Sequence, residues 1–233
     1  MNLQPYHDFA VTTFGVDYHD ITKLVTAFTH RSYLNEHRKT GTEHNERLEF
    51  LGDAVLELVV TEYLYANFQE PEGILTNWRS SLVRTESISA AASRHGFEPL
   101  LRLSRGERRG GDRARMQILA NSYEAVIGSL YLDQGYEAAR KFIQSSLLTT
   151  LPTILESGSW MDAKSNLQEL SQSRESMTPL YKVVSEEGPD HDKVFTVGVF
   201  IGGELRGQGN GPSKQAAQQQ AAMQALQYYK TAE

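Results

Sequence analysis

The clearest pattern of hydrophobic and polar positions in this chain covers residues 44–64. On a helix with about 100° per residue, its apolar side chains share one arc and its carboxylates share another. The apolar arc holds Leu48, Leu51, Val55, Leu58 and Val59, and the acidic arc holds Glu46, Glu49, Asp53 and Glu57. The pattern predicts an amphipathic helix with one apolar face and one acidic face.

The acidic face places like charges one helical turn apart. Glu49 and Asp53, and then Asp53 and Glu57, are spaced i,i+4, and each such pair costs a helix about 0.2–0.5 kcal/mol. An ordinary solvent-exposed face would set Lys or Arg against Glu at this spacing. The pattern therefore indicates either an acidic surface helix that tolerates its repulsion or a face that binds a cation.

Helical patterns cover most of the remaining chain up to residue 150, and no strand pattern appears there. Helices are predicted over residues 21–30, 74–84, 86–95, 116–133 and 137–148, with Asp20 as the N-cap of the first. Residues 102–115 interrupt them with six arginines and three glycines. Because each glycine costs a helix about 1 kcal/mol, we predict a flexible basic loop there.

The pattern changes after residue 150. Residues 151–161, with proline, glycine and small polar residues, contain the predicted linker. Beyond them a helix is predicted over residues 162–173, strands over 179–186, 193–201 and 204–209, and a helix over 212–229. We predict an all-helical domain at residues 1–155, a linker at 156–161 and a small α-β-β-β-α domain at 162–231.

Composition narrows the possible classes of protein. The chain has 233 residues, a formal net charge of −6 and no cysteine, which excludes disulfides, thiolate metal sites and cysteine nucleophiles. The first residues lack the basic and apolar regions of a signal peptide, and no apolar run is long enough to span a membrane. We therefore expect a cytoplasmic protein without a membrane anchor. Any metal must be held by oxygen or imidazole, and oxygen ligands favour Mg²⁺ or Mn²⁺.

A second polar pair lies on the helix predicted at residues 116–133. Asn121 and Glu124 are spaced i,i+3 and share one helix face. They are either the polar side of an ordinary helix or half of a site opposed across a bundle to Glu49 and Asp53. In the second case the oxygen-rich group would have little positive charge nearby, and a divalent cation would satisfy it. Such an ion could turn bound water into hydroxide and stabilise charge on a phosphoryl oxygen.

These residues, together with shorter motifs, resemble bacterial ribonuclease III. The nuclease-like motifs are THRS at 29–32, HNERLEFLGD at 44–53, EG at 72–73, GG at 110–111 and ILANSYEAVIG at 118–128. The motifs that resemble the family's double-stranded RNA-binding domain are DAKSNLQE at 162–169, GQG at 207–209, SK at 213–214 and the alanines Ala217, Ala221 and Ala222. The motifs follow the family's order over nearly the whole chain, and the run at 45–53 is the most specific.

The resemblance implies a mainly α fold, in which an all-helical nuclease domain precedes a small α+β domain that binds double-stranded RNA. It implies a homodimeric, Mg²⁺-dependent endoribonuclease, with Mn²⁺ as a substitute. This enzyme would cleave double-stranded RNA into products with 5′-phosphate and 3′-hydroxyl ends and short 3′ overhangs, and process ribosomal and messenger RNA precursors. The alternative is a noncatalytic double-stranded RNA-binding homologue, which would be expected to have lost several of the acids.

The resemblance also implies roles for single residues of the nuclease domain. The implied catalytic residues are Asp53 and Glu124, the implied metal ligands are Glu49, Asp53, Asn121 and Glu124, and the implied substrate-side acids are Glu46 and Glu72. Phe50 lies in the segment that packs across the dimer. Asn121 departs from the family, because many members carry Asp there, and we expect a weaker metal site. Glu57 is expected to have no part in the chemistry.

The RNA-binding half departs from the family in charge. Its expected RNA contacts are Gln168 and Glu169 on the first helix, His191 in the first hairpin, and Lys214, Gln215 and Gln218 on the last helix. Gln215 stands where a second lysine is common, and acidic residues outnumber basic ones after residue 161. We therefore expect modest affinity for RNA, with Lys214 as the clear basic phosphate contact.

Two histidines, two tryptophans and the arginine-rich loop have less support for a role in catalysis or RNA binding. His30 and His44 are expected to have hydrogen-bonding or structural roles, because oxygen ligands already supply the metal site. Trp78 and Trp160 are expected to anchor the core and the linker. The arginine-rich loop is expected either to contact phosphates near the cleavage site or to be a solvated loop.

Overall fold

The computed structural model describes residues 2–37, 43–157, 160, 163–189 and 193–231. The chain divides into two compact units, Met1–Trp160 and Met161–Glu233. The finer boundaries expected from the sequence, with a linker at residues 156–161, stay predictions.

The first unit is built from α-helices, as the hydrophobic pattern predicted. In chain order they are α1 Gln4–Phe14, α2 Ile21–Ala27, α3 Arg31–Glu36, α4 Glu46–Asn67, α5 Glu72–Val83, α6 Thr85–Arg94, α7 Asp112–Gln134, α8 Tyr136–Ser146 and α9 Leu151–Ser157. The helix predicted over residues 21–30 is shorter than expected, since it ends at Ala27. In the described part of this unit, the one strand-like feature is an isolated bridge between Thr29 and Arg102.

Helices α4 and α7 cross at the centre of the first unit, where their backbones touch. A Cβ atom placed on Gly52 would lie 1.7 Å from the carbonyl oxygen of Glu124, and one on Gly128 would lie 2.3 Å from that of Leu48. Only glycine leaves room for this approach, although each glycine weakens its own helix by about 1 kcal/mol. The crossing therefore sets the first turns of α4 beside the middle of α7.

The buried side of α4 differs in one respect from the predicted apolar arc. Val55 and Val59 are buried as expected, and Leu56 is buried with them, but Leu58 is 51% exposed. The buried stripe runs through positions 52, 55, 56, 59, 60 and 64. The prediction for Leu58 is therefore wrong, because the contact is centred on Gly52 and leaves Leu58 on the outer side.

A buried carboxylate fixes the loop between α1 and α2. Asp133, near the end of α7, accepts hydrogen bonds from the backbone N–H groups of His19 at 2.7 Å and Asp20 at 3.0 Å, and from Nζ of Lys23 at 2.8 Å. Burial alone would raise the pKa of Asp133, but its hydrogen bonds lower it to about 2. Asp20 caps α2 as predicted, since its side chain accepts from the N–H of Thr22.

Residues 102–115 are more structured than the predicted flexible loop. Arg102 is buried, with its guanidinium carbon 4.3 Å from the ring centroid of Tyr33 and Nη1 3.0 Å from Oγ1 of Thr29. A short 3₁₀ turn covers Glu107–Arg109, and α7 already begins at Asp112. The prediction is wrong for Arg102 and for the residues from Asp112 onward, because burial fixes the first and helix formation fixes the others.

A helix also occupies part of the stretch expected to contain the linker. Helix α9 covers Leu151–Ser157 and packs against α5. Beyond it, Trp160 packs edge-on against the buried Trp78, with ring centroids 5.7 Å apart. These contacts agree with the anchoring roles expected for the two tryptophans.

The second unit has the predicted α-β-β-β-α order. Its elements are α10 Ala163–Glu175, β1 Leu180–Glu187, β2 Val194–Ile201, β3 Glu204–Gly211 and α11 Lys214–Thr231. The strands form an antiparallel sheet in the order β1-β2-β3, and side chains of both helices pack on it. Helix α11 begins at Lys214 rather than at residue 212, because Oγ of Ser213 accepts the N–H of Ala216 at 3.2 Å and caps the helix.

No helix in the described ranges combines the length and the apolar character that crossing a lipid bilayer requires.

Candidate functional site

Three acidic residues lie at the crossing of α4 and α7. Glu49 and Asp53 are one turn apart on α4 and flank Gly52, and Glu124 is the α7 residue whose carbonyl oxygen meets Gly52. Glu49 and Glu124 are half-buried, and Asp53 is exposed. The close approach of the two helices brings the charges of all three within reach of one another.

Both half-buried acids have pKa values above the ordinary glutamate value. Burial raises the pKa of Glu124 to about 8, with further contributions from the charges of Asp53 and Glu49. Burial also raises the pKa of Glu49, as do the charges of Glu46 and Asp53, while the side chain of Asn121 acts in the opposite direction. This is the pattern of carboxylates that share a site without enough positive charge to neutralise them.

The chemistry of these donors fits a hard divalent cation. Among the described residues, no Lys, Arg or His forms an ion pair with Glu49, Asp53 or Glu124. Carboxylate and amide oxygens are the ligands that Mg²⁺ and Mn²⁺ prefer. Over the same ranges, however, no three His, Asp or Glu side chains already converge as a metal-binding group, and repulsion between like charges opposes such convergence.

Asn121 lies on α7 beside the acids. Its Oδ1 accepts a hydrogen bond from Nε2 of Gln117 at 2.6 Å, and its side chain lowers the pKa of Glu49 on α4. An amide at this position keeps an oxygen donor beside the acids but adds no negative charge. The group therefore carries one negative charge fewer than an aspartate at position 121 would give it.

The remaining acids of the predicted site have different surroundings. Glu57 forms an ion pair with Arg79, with 3.0 Å between Oε2 and Nε. Glu46 is exposed and lies 3.5 Å from Nη1 of Arg31. Glu72 is exposed in the first turn of α5, and in the described part of the chain it forms no ion pair or hydrogen bond with the acids of α4 and α7.

Sequence reasoning missed the residue that anchors the start of α4. Asn45 is buried, its backbone N–H donates to the carbonyl oxygen of Thr29 at 2.9 Å, and its Nδ2 donates to that of Ala27 at 3.2 Å. Its own carbonyl oxygen accepts the N–H of Glu49 at 2.9 Å. The available signal was a short polar residue directly before a helix, although such a residue more often caps through its side chain.

His30 has surroundings that agree with a structural role. Its Nδ1 accepts a hydrogen bond from the N–H of Ser32 at the start of α3, and burial lowers the pKa of His30. Nδ1 of His44 lies 3.8 Å from Oε2 of Glu46, and the structural role expected for His44 stays a prediction.

Helix α4 also presents large apolar side chains to solvent. Phe50 is 82% exposed, Tyr65 is 79% exposed, and Leu58 shares their side of the helix. Large exposed apolar side chains that share one side of a helix are typical of interaction surfaces.

The second unit has three of the expected RNA contacts at its surface. Gln168 and Glu169 are exposed on α10, and Gln215 is exposed in the first turn of α11. His191 lies outside the described residues. Whether these side chains contact RNA stays a prediction.

The other two expected contacts, Lys214 and Gln218, already have partners within this unit. Nζ of Lys214 lies 3.1 Å from Oε1 of Glu186. Gln218, one turn further along α11, accepts a hydrogen bond from Nζ of Lys164 at 2.7 Å.

Comparison with known proteins assigns both units. A family model described as Ribonuclease-III-like matches residues 20–151, and one described as Double-stranded RNA binding motif matches residues 163–229. Ribonuclease 3 from Enterococcus faecalis is 44% identical over 91% of this chain and 93% of its own length. Ribonuclease 3 from Streptococcus gordonii is also 44% identical, over 92% of each chain.

Two solved structures of the nuclease domain of ribonuclease III from Campylobacter jejuni resemble the first unit. One is 31% identical with a TM-score of 0.54, covering 62% of this chain and 95% of that chain. The other, described for structural flexibility in a region involved in dimer formation, is 33% identical with a TM-score of 0.53, covering 60% and 96%. Because relatives match along nearly the whole sequence and both family models match in order, this chain belongs to the ribonuclease III family.

Proposed function

We propose that this protein is an endoribonuclease that hydrolyses phosphodiester bonds in double-stranded RNA. The observation that carries the proposal is the half-buried Glu124 beside Glu49 and Asp53, a group of like charges at the crossing of α4 and α7. In a family of ribonucleases, uncompensated carboxylates at the centre of the nuclease domain are best explained as the active site. The second unit supplies a fold that recognises duplex RNA by shape.

The metal that fits this donor set is Mg²⁺, with Mn²⁺ as a substitute. The carboxylates of Glu49, Asp53 and Glu124 and Oδ1 of Asn121 would hold it. When bound, a divalent cation supplies an activated water and stabilises charge on a phosphoryl oxygen.

The residues of the site have different proposed roles. Asp53 is exposed and therefore accessible to a phosphodiester, and Glu124 is half-buried and close enough for the charge of Asp53 to raise its pKa; these two are the proposed catalytic carboxylates. The Asn121 side chain favours the ionised form of Glu49 by lowering its pKa. We assign Glu46 and Glu72 to the substrate side as exposed acids.

The proposed reaction adds water to phosphorus and breaks the bond between phosphorus and the 3′ oxygen. The products would carry 5′-phosphate and 3′-hydroxyl ends. Structured precursors of ribosomal and messenger RNA, which form duplexes in the cytoplasm, are the proposed substrates.

We also propose that the nuclease domain forms a homodimer through the exposed side of α4. Phe50, Leu58 and Tyr65 give this side an apolar surface that burial in a dimer would remove from water. A relative's nuclease domain has a region involved in dimer formation. A two-fold dimer would present one acidic group to each strand of a duplex.

Cleavage of a long RNA duplex tests the proposed activity against the noncatalytic alternative. We expect the full-length protein to cut the duplex with Mg²⁺ and not with EDTA, and to leave a single-stranded RNA of the same sequence intact. Ligation of adaptors would identify 5′-phosphate ends. Duplex binding without cleavage in Mg²⁺ and in Mn²⁺ would support the noncatalytic alternative instead.

A further inference from the structure

Glu186 lies between two lysines at one end of the sheet in the second unit. On β1 it is paired directly opposite Phe195 of β2. Its Oε1 lies 3.1 Å from Nζ of Lys214, and its Oε2 lies 3.8 Å from Nζ of Lys193. The Lys214 ammonium also lies 5.5 Å from the ring centroid of Phe195. Both oxygens of one carboxylate are thus near ammonium groups.

This ion pair is accessible to an external anion. The side chain of Lys214 is 57% exposed and that of Glu186 is 37% exposed. Solvent screens such exposed pairs, so each is weak, whereas an RNA duplex presents a continuous line of phosphates. A phosphate oxygen and the Glu186 carboxylate therefore compete for the same ammonium group.

The sequence around Lys214 increases the effect of this competition. Lys214 is the only basic residue in residues 213–222, where Gln215 and Gln218 are uncharged. One carboxylate can therefore neutralise the positive charge at the start of α11.

We propose that Glu186 is an intramolecular competitor that limits the affinity of this domain for double-stranded RNA. In the free protein it neutralises Lys214, and on binding it must either release that ammonium or stay beside the RNA backbone as a repelling charge. The proposal rests on the proposed function, in which Lys214 contacts a phosphate. Its consequence is that stable binding requires the other duplex contacts to form at the same time.

A double-mutant cycle on the full-length protein tests this proposal. The probe is a labelled RNA duplex of about 20 base pairs, longer than the roughly 16 base pairs that such a domain spans, and EDTA prevents cleavage. We expect Glu186→Gln to tighten binding about three- to fivefold. We also expect the affinity of Glu186→Gln to depend more steeply on salt concentration than that of the wild type. In the wild type, the Glu186 carboxylate released from Lys214 takes up a cation from solution, which offsets one of the cations that the RNA releases on binding.

The matched control is Glu187→Gln, which removes the same charge from the next residue of β1. Its side chain points to the opposite face of the strand, so we expect its effect to be smaller than twofold. In a Lys214→Ala background, the effect of Glu186→Gln should fall to that of Glu187→Gln.

The outcomes separate the two hypotheses. The competitor proposal would be overturned if Glu186→Gln and Glu187→Gln changed the affinity equally, or if Glu186→Gln tightened binding to the same extent in the Lys214→Ala background. In either case Lys214 would still be an RNA contact if Lys214→Ala alone weakens binding. Unchanged affinity and salt dependence in Lys214→Ala alone would remove Lys214 from the proposed RNA-binding surface, and the competitor proposal with it.

Discussion

Glu124 is the residue at which stability and the proposed activity oppose each other. Its carboxyl is half-buried beside Glu49 and Asp53, and the pKa of about 8 means that the metal-free protein keeps it protonated at neutral pH. The unfolded chain would ionise it near the ordinary value of 4.5. Folding without metal therefore binds a proton, so the stability that this group contributes is complete below about pH 4.5 and is lost as pH rises toward about 8.

Replacing Glu124 by Gln should stabilise the metal-free protein at alkaline pH. Glutamine resembles the protonated acid and does not titrate, so we expect Glu124→Gln to unfold at a higher temperature than the wild type at about pH 8.5 and at a similar temperature near pH 4. Thermal unfolding in EDTA measures this. Glu57→Gln, which removes a carboxylate paired with Arg79, should not raise the unfolding temperature, and an equal or lower value for Glu124→Gln would contradict the pKa shift.

Asn121 should set the metal concentration that the enzyme needs. An aspartate there adds a negative charge to the proposed ligands, so we expect Asn121→Asp to shift the Mg²⁺ dependence of cleavage to about three- to tenfold lower concentration. Titration of initial rates with Mg²⁺ measures the midpoint. The control is Gln144→Glu, which adds the same charge near the far end of α4, beside Glu62 and Asn67, and should leave the midpoint unchanged. If Asn121→Asp also leaves the midpoint unchanged, Asn121 is not one of the metal ligands.

Single residues were predictable from sequence where their chemistry repeats along a helix. The i,i+4 acids Glu49 and Asp53 and the i,i+3 pair Asn121 and Glu124 indicated one site before their helices were seen to pack together. Arg102 could not be assigned in this way, because its burial depends on Tyr33 and Thr29, which are distant in sequence. A local pattern contains no information on such contacts.

Among the elements, α4 and α7 determine the geometry of the site. Their backbones approach closely enough that a Cβ on Gly52 would overlap the Glu124 carbonyl. The hydrophobic pattern predicted both helices, but it placed Leu58 on the buried side and did not identify the glycines as the point of contact. The hydrophobic pattern describes one helix at a time, whereas the crossing requires a glycine on each helix at the point where the two backbones meet.

Adding a methyl group at the crossing should destabilise the first unit. We expect Gly52→Ala to lower the free energy of unfolding by about 3 kcal/mol, because the rigid backbone of α7 must move. Both tryptophans of the chain lie in this unit, so their fluorescence in a urea titration reports its unfolding. Gly73→Ala is the control, since a Cβ there meets nothing within 4 Å; equal stability of the two variants would contradict the close approach.

At the scale of the whole molecule, the chain joins a helical nuclease unit to a small α+β unit with an RNA-binding fold. The order of elements was predictable because the hydrophobic period changes from helical to alternating after residue 150. The hydrophobic pattern did not predict the assembly, since it places Phe50 directly after the acid Glu49 on the same helix. Only the family resemblance implied a place for Phe50 in a dimer, and its exposure of 82% supports the proposed interface.

A charge at Phe50 should separate the proposed dimer. We expect Phe50→Asp to sediment as a monomer at concentrations where the wild type is a dimer, because an aspartate cannot be buried in an apolar interface without a partner. Circular dichroism should show an unchanged helix content. Val11→Asp places the same charge at a half-exposed position of α1 and should remain dimeric, and a dimeric Phe50→Asp would contradict an interface at this position.

The central claim is that the acids at the crossing of α4 and α7 form the active site. The most direct test is the single-turnover rate of duplex RNA cleavage in saturating Mg²⁺ for Asp53→Asn and for Glu57→Gln, two isosteric changes one turn apart on the same helix. We predict that Asp53→Asn lowers the rate more than about a hundredfold with unchanged folding and duplex binding, whereas Glu57→Gln stays within about twofold of the wild type. A rate for Asp53→Asn within a few-fold of the wild type would contradict the claim.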